Sequence, residues 1–391
     1  MSSSAHHHRY TDRYQHRLHK LEDAGQLRIP RTVDTFADGF CEINGRRLVN
    51  FGGNDYLNLA HEVGQCEDVR QVMQSQTGAT ASALVCGRSS WHAALENALA
   101  EFEDTQAALL FPTGFAANLG VLTGLVEAGD AVFCDRDNHA SLIDAARSCA
   151  GRLLVYRSND LSTLQRSLKR RRCEHERVYI VTDGVFSMDG RVAALSVLCE
   201  IAEQHQAAVI VDEAHGTGVL GSHGRGACDL CDVEGRVLLR IGTMSKAMGG
   251  LGGFVVGDRP IIDLLRNVAR TQFFSTALPP AICAAMLQSL KIITAEPQRR
   301  ERLAELVAFA HQTLADFGLQ TVDRGVAPIV SVLIPGSHSV QDVSQRLHDA
   351  GFFLPAIRPP TVAAGTDRLR MSLSVQHTTT QIKAALQQIA R

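Results

Sequence analysis

Val237, Leu238 and Leu239 lead to Thr243, Met244, Ser245 and Lys246, which run into Gly249, Gly250, Gly252 and Gly253. An apolar run that delivers a single lysine into a glycine-rich turn places an amine where backbone can approach a ligand closely. Upstream, Val209, Ile210 and Val211 form a second short apolar run, ending in Asp212, Glu213, Ala214 and His215 before Gly216 and Gly218. Two strand ends, one bearing a carboxylate and a histidine and the other a lysine, meet the needs of a pyridoxal phosphate site. The ring nitrogen of that cofactor must stay protonated, and a buried cation is costly unless paired, which is a task for Asp212. Lys246 then holds the aldehyde.

Outward from these two runs, short apolar segments alternate with helical spacing. Candidate strands cover Ala107 to Phe111, Ala131 to Asp135, Leu153 to Tyr156, Val178 to Asp183, Ala208 to Asp212, Val237 to Ile241 and Gly253 to Val256. Between them Leu119, Leu122 and Val126 recur on one helical face. Such alternation implies a seven-stranded, mostly parallel sheet covered on both sides, with ligands at the carboxyl ends of its strands. Beyond Pro280 a helical stretch leads to a strand near Ile329 to Ile334, a helix near Val340 to Ala350, a strand at Leu369 to Leu373 and a last helix carrying Ile382, Leu386 and Ile389. The division expected is an N-terminal arm over 1–50, with a helix from Tyr14 to Leu27, a large domain over 51–285 and a small α+β domain over 286–391.

The 391 residues are 45% apolar, enough for a large core, and the formal charge of −2 offers no footprint for nucleic acid or an anionic membrane. No apolar run has the length of a membrane span, and Met1 to Tyr10 resembles neither a signal core nor a presequence, so a cytoplasmic protein is expected. The ten cysteines show no secreted-type framework; Cys228 and Cys231 make a C-x-x-C with no second ligand pair, and His6, His7 and His8 lie in a polar terminus, so no metal is expected.

Three further segments bear chemistry. Pro112, Thr113, Gly114 and Phe115 close a strand and open a helix, whose free amides and positive end suit a phosphate; Thr243 adds a hydroxyl. Asn138, His139, Ala140 and Ser141 follow the strand ending at Asp135, where a histidine either stacks on a planar cofactor or caps a helix. Asp183 to Gly190 follow another strand, where Ser187 either bonds the cofactor's phenolic oxygen or sits in a solvent turn.

Taken with Asn54 to Leu57 (NDYL), Pro112 to Asn118 (PTGFAAN), Asn138 to Leu142 (NHASL), Val211 to Gly221 (VDEAHGTGVLG), Thr243 to Gly250 (TMSKAMGG) and Phe274 to Pro280 (FSTALPP), these motifs resemble the α-oxoamine synthases. Those are pyridoxal-phosphate enzymes of fold type I, the aspartate aminotransferase-like transferase fold. The resemblance implies that Lys246 forms the Schiff base, Asp212 pairs the ring nitrogen, His139 stacks on the ring, and His215 and Ser187 meet the phenolic oxygen. It implies Gly114, Phe115 and Thr243 as phosphate ligands, joined across a homodimer with shared active sites by Ser275 or Thr276 of the partner subunit. Asn54 and Arg370, with Arg28 and Thr361, are the implied substrate contacts.

The tail from Ala356 to Ser374 most resembles the branch that joins L-alanine to a pimeloyl thioester, carried on coenzyme A or a carrier protein. Against that, Asp183 stands where this branch commonly has glutamate and the glycine-using ligases have aspartate. The turn from Gly78 to Gly87 also lacks the arginine that relatives carry soon after a serine. Asp212 to His215 spell the DEAH of helicase-type ATPases, but no Gly-Lys-Ser or Gly-Lys-Thr occurs to make a phosphate loop.

Overall fold

The computed structural model describes residues 2–157, 160–334 and 339–391, and side chains from residue 10 onward. His6, His7 and His8 therefore lie outside the described side chains. The first helix, Ser2–Asp23, is longer than its spacing suggests and stops four residues earlier. Gly25 adopts φ +62°, which lets the amides of Gln26 and Leu27 turn back onto the carbonyl of Leu21.

Three strands follow, β1 (Asp34–Thr35), β2 (Phe40–Ile43) and β3 (Arg46–Asn50). Asn44 and Gly45, both at positive φ, make the tight turn between β2 and β3. Cys41, Ile43 and Leu48 are buried there, an apolar set that the overall polarity of 1–50 conceals.

The seven strands of the main sheet are β4 (Ala107–Phe111), β5 (Ala131–Asp135), β6 (Arg152–Tyr156), β7 (Val178–Asp183), β8 (Ala208–Asp212), β9 (Leu239–Thr243) and β10 (Gly253–Gly257). Their order is β4-β10-β9-β8-β7-β5-β6, and only β10 runs against its neighbours. Alternate residues feed two cores: Leu110, Phe133, Ile180 and Val211 pack on one face, and Leu109, Val132, Val181 and Ile210 on the other. The strand before Lys246 lies two residues later than its apolar run suggests. Thr243 pairs with Gly253, and its hydroxyl donates to the carbonyl of Gly252 at 2.9 Å.

Helices Pro280–Ala295 and Gln298–Asp316 lead to β11 (Ile329–Leu333), β12 (Phe352–Phe353), β13 (Ala356–Ile357) and β14 (Arg368–Ser372). The strands β11, β14 and β13 form one small sheet, whereas β12 pairs in parallel with β3. Helices Val340–Asp349 and Thr379–Ile389 complete this part, the second opened by a reciprocal cap between Thr378 and Gln381. The carboxyl ends of β4, β5, β7, β8 and β9 lead into one region, which holds the strand-end groups singled out above.

Candidate active site

A cavity of about 210 Å³ lies at these strand ends, lined by Gly114, Phe115, His139, Ser187, Asp212, His215, Thr243 and Lys246, together with Thr113, Asn118, Ser141 and Asp183. A larger open groove of about 550 Å³ beside Leu230 and Arg300 carries none of these groups. Of the remaining expected residues, Arg370 approaches from β14, and its Nε donates to the backbone carbonyl of Ser187 at 2.6 Å. Its other donors reach Asn54 Oδ1 at 3.2 Å and Ser372 Oγ at 2.7 Å. Arg28 and Thr361 are exposed and bond each other at 3.0 Å. Thr276 is exposed opposite Ser82 and takes no part in lining this chain's cavity.

Each group is held by its element. Thr113 caps helix Gly114–Leu125 by accepting from the amide of Ala116 at 3.0 Å, leaving the first-turn amides of Gly114 and Phe115 without helical partners. A Cβ on Gly114 would stand 3.2 Å from Thr243 Cβ, and one on Gly253 would stand 2.5 Å from the carbonyl oxygen of Thr113. The strand end and the helix start thus form a close cradle that glycine alone permits. Thr243 and Ser245 link hydroxyls at 2.8 Å beside it.

Asp212 accepts from the amide of Ala214 at 2.8 Å and from Asn118 Nδ2 at 2.6 Å. Directly opposite in the ladder is Asp183. Burial, reinforced by the charge of Asp212, pushes the Asp183 carboxyl well above the usual carboxylate range. It accepts from the amide of His139 at 2.9 Å, while Asn138 bonds both the amide of Asp183 and the carbonyl of Val181. These bonds pin the turn bearing His139 onto β7.

Burial lowers the Lys246 amine to about 8 against the opposing pull of Asp212 and Asp183. His215 shares a 2.6 Å hydrogen bond with the hydroxyl of Tyr56, and burial followed by the charge of Lys246 holds it well below its ordinary value. Burial also lowers His139. The Glu213 carboxyl accepts from the amides of Ala227 and Cys228, each at 2.7 Å, which gives this middle member of the DEAH run a structural task.

A helix start rich in amides, two hydroxyls, a partly buried lysine and a carboxylate at one cavity fit an anionic, planar, aldehyde-bearing cofactor. Asn118 and Tyr56 are the groups whose place in the site the strand-end motifs do not reveal. An asparagine inside the apolar run Ala116 to Val121 was the available sign for the first, since a buried amide needs partners.

Residues 46–389 match the aminotransferase class I and II family, and the chain belongs to that family. Within it the chain is an α-oxoamine synthase, with pyridoxal phosphate as its cofactor. It is similar to the 8-amino-7-oxononanoate synthase of Methylococcus capsulatus, 43% identical over 373 residues and 95% of each chain. Among solved structures, the 8-amino-7-oxononanoate synthase of Francisella tularensis has a TM-score of 0.77 at 29% identity, covering 88% of this chain and 97% of that one. A high-resolution serine palmitoyltransferase structure with pyridoxal phosphate has a TM-score of 0.89 at 30% identity, covering 97% and 96%.

Proposed function

We propose that this enzyme joins L-alanine to a pimeloyl thioester, releasing carbon dioxide and the free thiol and giving 8-amino-7-oxononanoate, the precursor role in biotin biosynthesis. The reading is supported by relatives named for that activity over nearly the whole chain. The structural observation that carries the amino-acid half is Arg370: it is buried, its described hydrogen-bond partners are all neutral, and its charge is felt at Lys246. A buried guanidinium with neutral partners is costly, and a substrate carboxylate supplies the missing anion in a fork geometry.

Pyridoxal phosphate, when bound, supplies the sink for the electron pair left on the amino acid's α-carbon. Gly114, Phe115 and Thr243 hold its phosphate, Asp212 its ring nitrogen, and Ser187 and His215 its phenolic oxygen. Lys246 takes the α-proton; an amine near 8 is neutral in a useful fraction close to neutrality, as a general base must be. Once the α-carbon has attacked the thioester carbonyl and the thiolate has left, carbon dioxide departs and Lys246 returns a proton. His139 donates to the acyl oxygen during the attack. Asn54 and Arg370 meet the substrate carboxylate, with Arg28 and Thr361 as further substrate contacts.

Two copies share the site, with Thr276 of the partner subunit on the phosphate. The aspartate at 183 favours glycine and acetyl-coenzyme A as the second reading. Thiol release measured with alanine plus pimeloyl-coenzyme A against glycine plus acetyl-coenzyme A decides: preference for the first pair is expected, and preference for the second moves the enzyme to the ligase branch.

A further inference from the structure

We propose that Asn118 and Ser141 are positioning residues that fix His139 as the Nε2–H tautomer through a one-directional hydrogen-bond relay anchored on Asp212. The observations form an unbroken chain. Asn118 Nδ2 lies 2.6 Å from Asp212 Oδ2 and 2.8 Å from Ser141 Oγ, and Ser141 Oγ lies 2.7 Å from His139 Nδ1. All four side chains line the cavity, and Asn118 and Ser141 are almost completely buried.

Direction follows from donor chemistry. Turning the amide of Asn118 over would set its oxygen against the Asp212 carboxylate, two acceptors face to face, so the nitrogen must point there. That NH₂ has two hydrogens; one goes to Asp212 and the other to Ser141 Oγ. The serine oxygen, acting as acceptor toward Asn118, has its own hydrogen left for His139 Nδ1. A second donor agrees: the amide of Ser141 lies 3.3 Å from the same Nδ1, because His139 is the N-cap of helix Ala140–Ser148 and a cap must accept. With two donors aimed at Nδ1, the ring's hydrogen resides on Nε2. His139 is thereby a neutral donor through Nε2 and cannot draw a proton onto Nδ1 without breaking the helix cap.

This makes Asp212, which would pair the cofactor's ring nitrogen, the origin of a chain that ends at the His139 imidazole. The tautomer concerns these residues alone; its use, donation to the acyl oxygen, rests on the acyl-transfer reading above. Burial also favours the uncharged ring.

The test is nitrogen NMR of the holoenzyme carrying ¹⁵N-histidine, with the His139 signals identified by their loss in His139→Asn. The wild-type enzyme should show Nδ1 unprotonated and Nε2 protonated, and a protonated Nδ1 would overturn the relay. Asn118→Asp, nearly equal in size, shares one proton with Asp212 across the 2.6 Å contact, and with no second hydrogen to donate its oxygen accepts from Ser141. The serine hydroxyl then turns away, Nδ1 keeps only the longer 3.3 Å bond from the Ser141 amide, and it should move toward its protonated shift as that cap bond gives way, while kcat falls about tenfold or more. A purely structural asparagine would leave the tautomer where it was, so an unchanged Nδ1 signal in Asn118→Asp would also overturn the proposal. If the substrate assay fails for every thioester while the nitrogen shifts behave as stated, the acyl-transfer reading falls and the relay stands.

Discussion

Lys246 illustrates how one side chain's surroundings become a measurable property. Its amine, ordinarily at 10.5, is brought to about 8, chiefly by burial. A lowered value for a base means the charged form is the one disfavoured: below about pH 8 the amine is protonated, and above it the amine is free to bond the cofactor's aldehyde. The rate at which apoprotein takes up pyridoxal phosphate, followed by absorbance, should therefore rise through pH 8 and level off above it. A rate still climbing near 10.5 would mean an amine in ordinary solvent. Lys246, Asp212 and His139 were legible in the sequence because each follows an apolar strand and stands next to glycine or a capping residue. Asn118 and Tyr56 are less so: an asparagine inside an apolar helical run signals only that it needs partners, and a tyrosine in a loop signals nothing, until the chain brings Asp212, Ser141 and His215 close. Asp183 is visible as a strand end, but the upward push on its carboxyl follows from burial first and then from Asp212 lying beside it in the ladder.

At the level of elements, the cradle depends on β10 and helix Gly114–Leu125 touching through backbone. A methyl group at Gly253 would meet the Thr113 carbonyl at 2.5 Å and Gly114 Cα at 2.7 Å, atoms that cannot swing aside as a side-chain tip would. Gly253→Ala is expected to weaken cofactor binding by about tenfold or more, the equivalent of an overpacking cost of ~1–3 kcal/mol. Fluorescence titration of the apoprotein would measure it, and an unaltered affinity would show that the cradle yields more easily than its contacts indicate. Six strands of the large sheet are readable from apolar runs because burial on both faces leaves no polar alternation; the edge strand β6, open at Arg152 and Val155, is readable because Leu153 to Tyr156 are all apolar. The strands β2 and β3 were overlooked although Asn44 and Gly45 are a strong hairpin signal, since their buried residues are few and part of their pairing comes from β12, remote in sequence. The last strand before Lys246 was misplaced by two residues because Val237 and Leu238 are apolar without belonging to the ladder.

For the molecule as a whole, the outer surface of one chain leaves Leu84, Val85 and Phe274 more than half exposed, with Phe115 exposed beside the cavity. Apolar side chains this open on the turn Ala83–Gly87 and near Thr276 suit burial against a second copy. Sedimentation should find a dimer, and Val85→Asp with Phe274→Asp should dissociate it with loss of turnover. A fully active monomer would contradict the shared site. Among the described residues no helix is long and apolar enough to cross a membrane. The union of β3 with β12 has a further meaning for how the protein is made. Arg46 and Asp349, bonded at the edge of that union, are 303 residues apart in the chain. Closing so long a loop adds little to the entropy of the finished fold, because that cost grows only with the logarithm of length, but it fixes the timing. During synthesis β3 must wait, one edge unpaired, until a partner 303 residues later has left the ribosome. A strand made before the large sheet is completed only after that sheet has been translated, and the nascent protein carries an open strand edge throughout that interval.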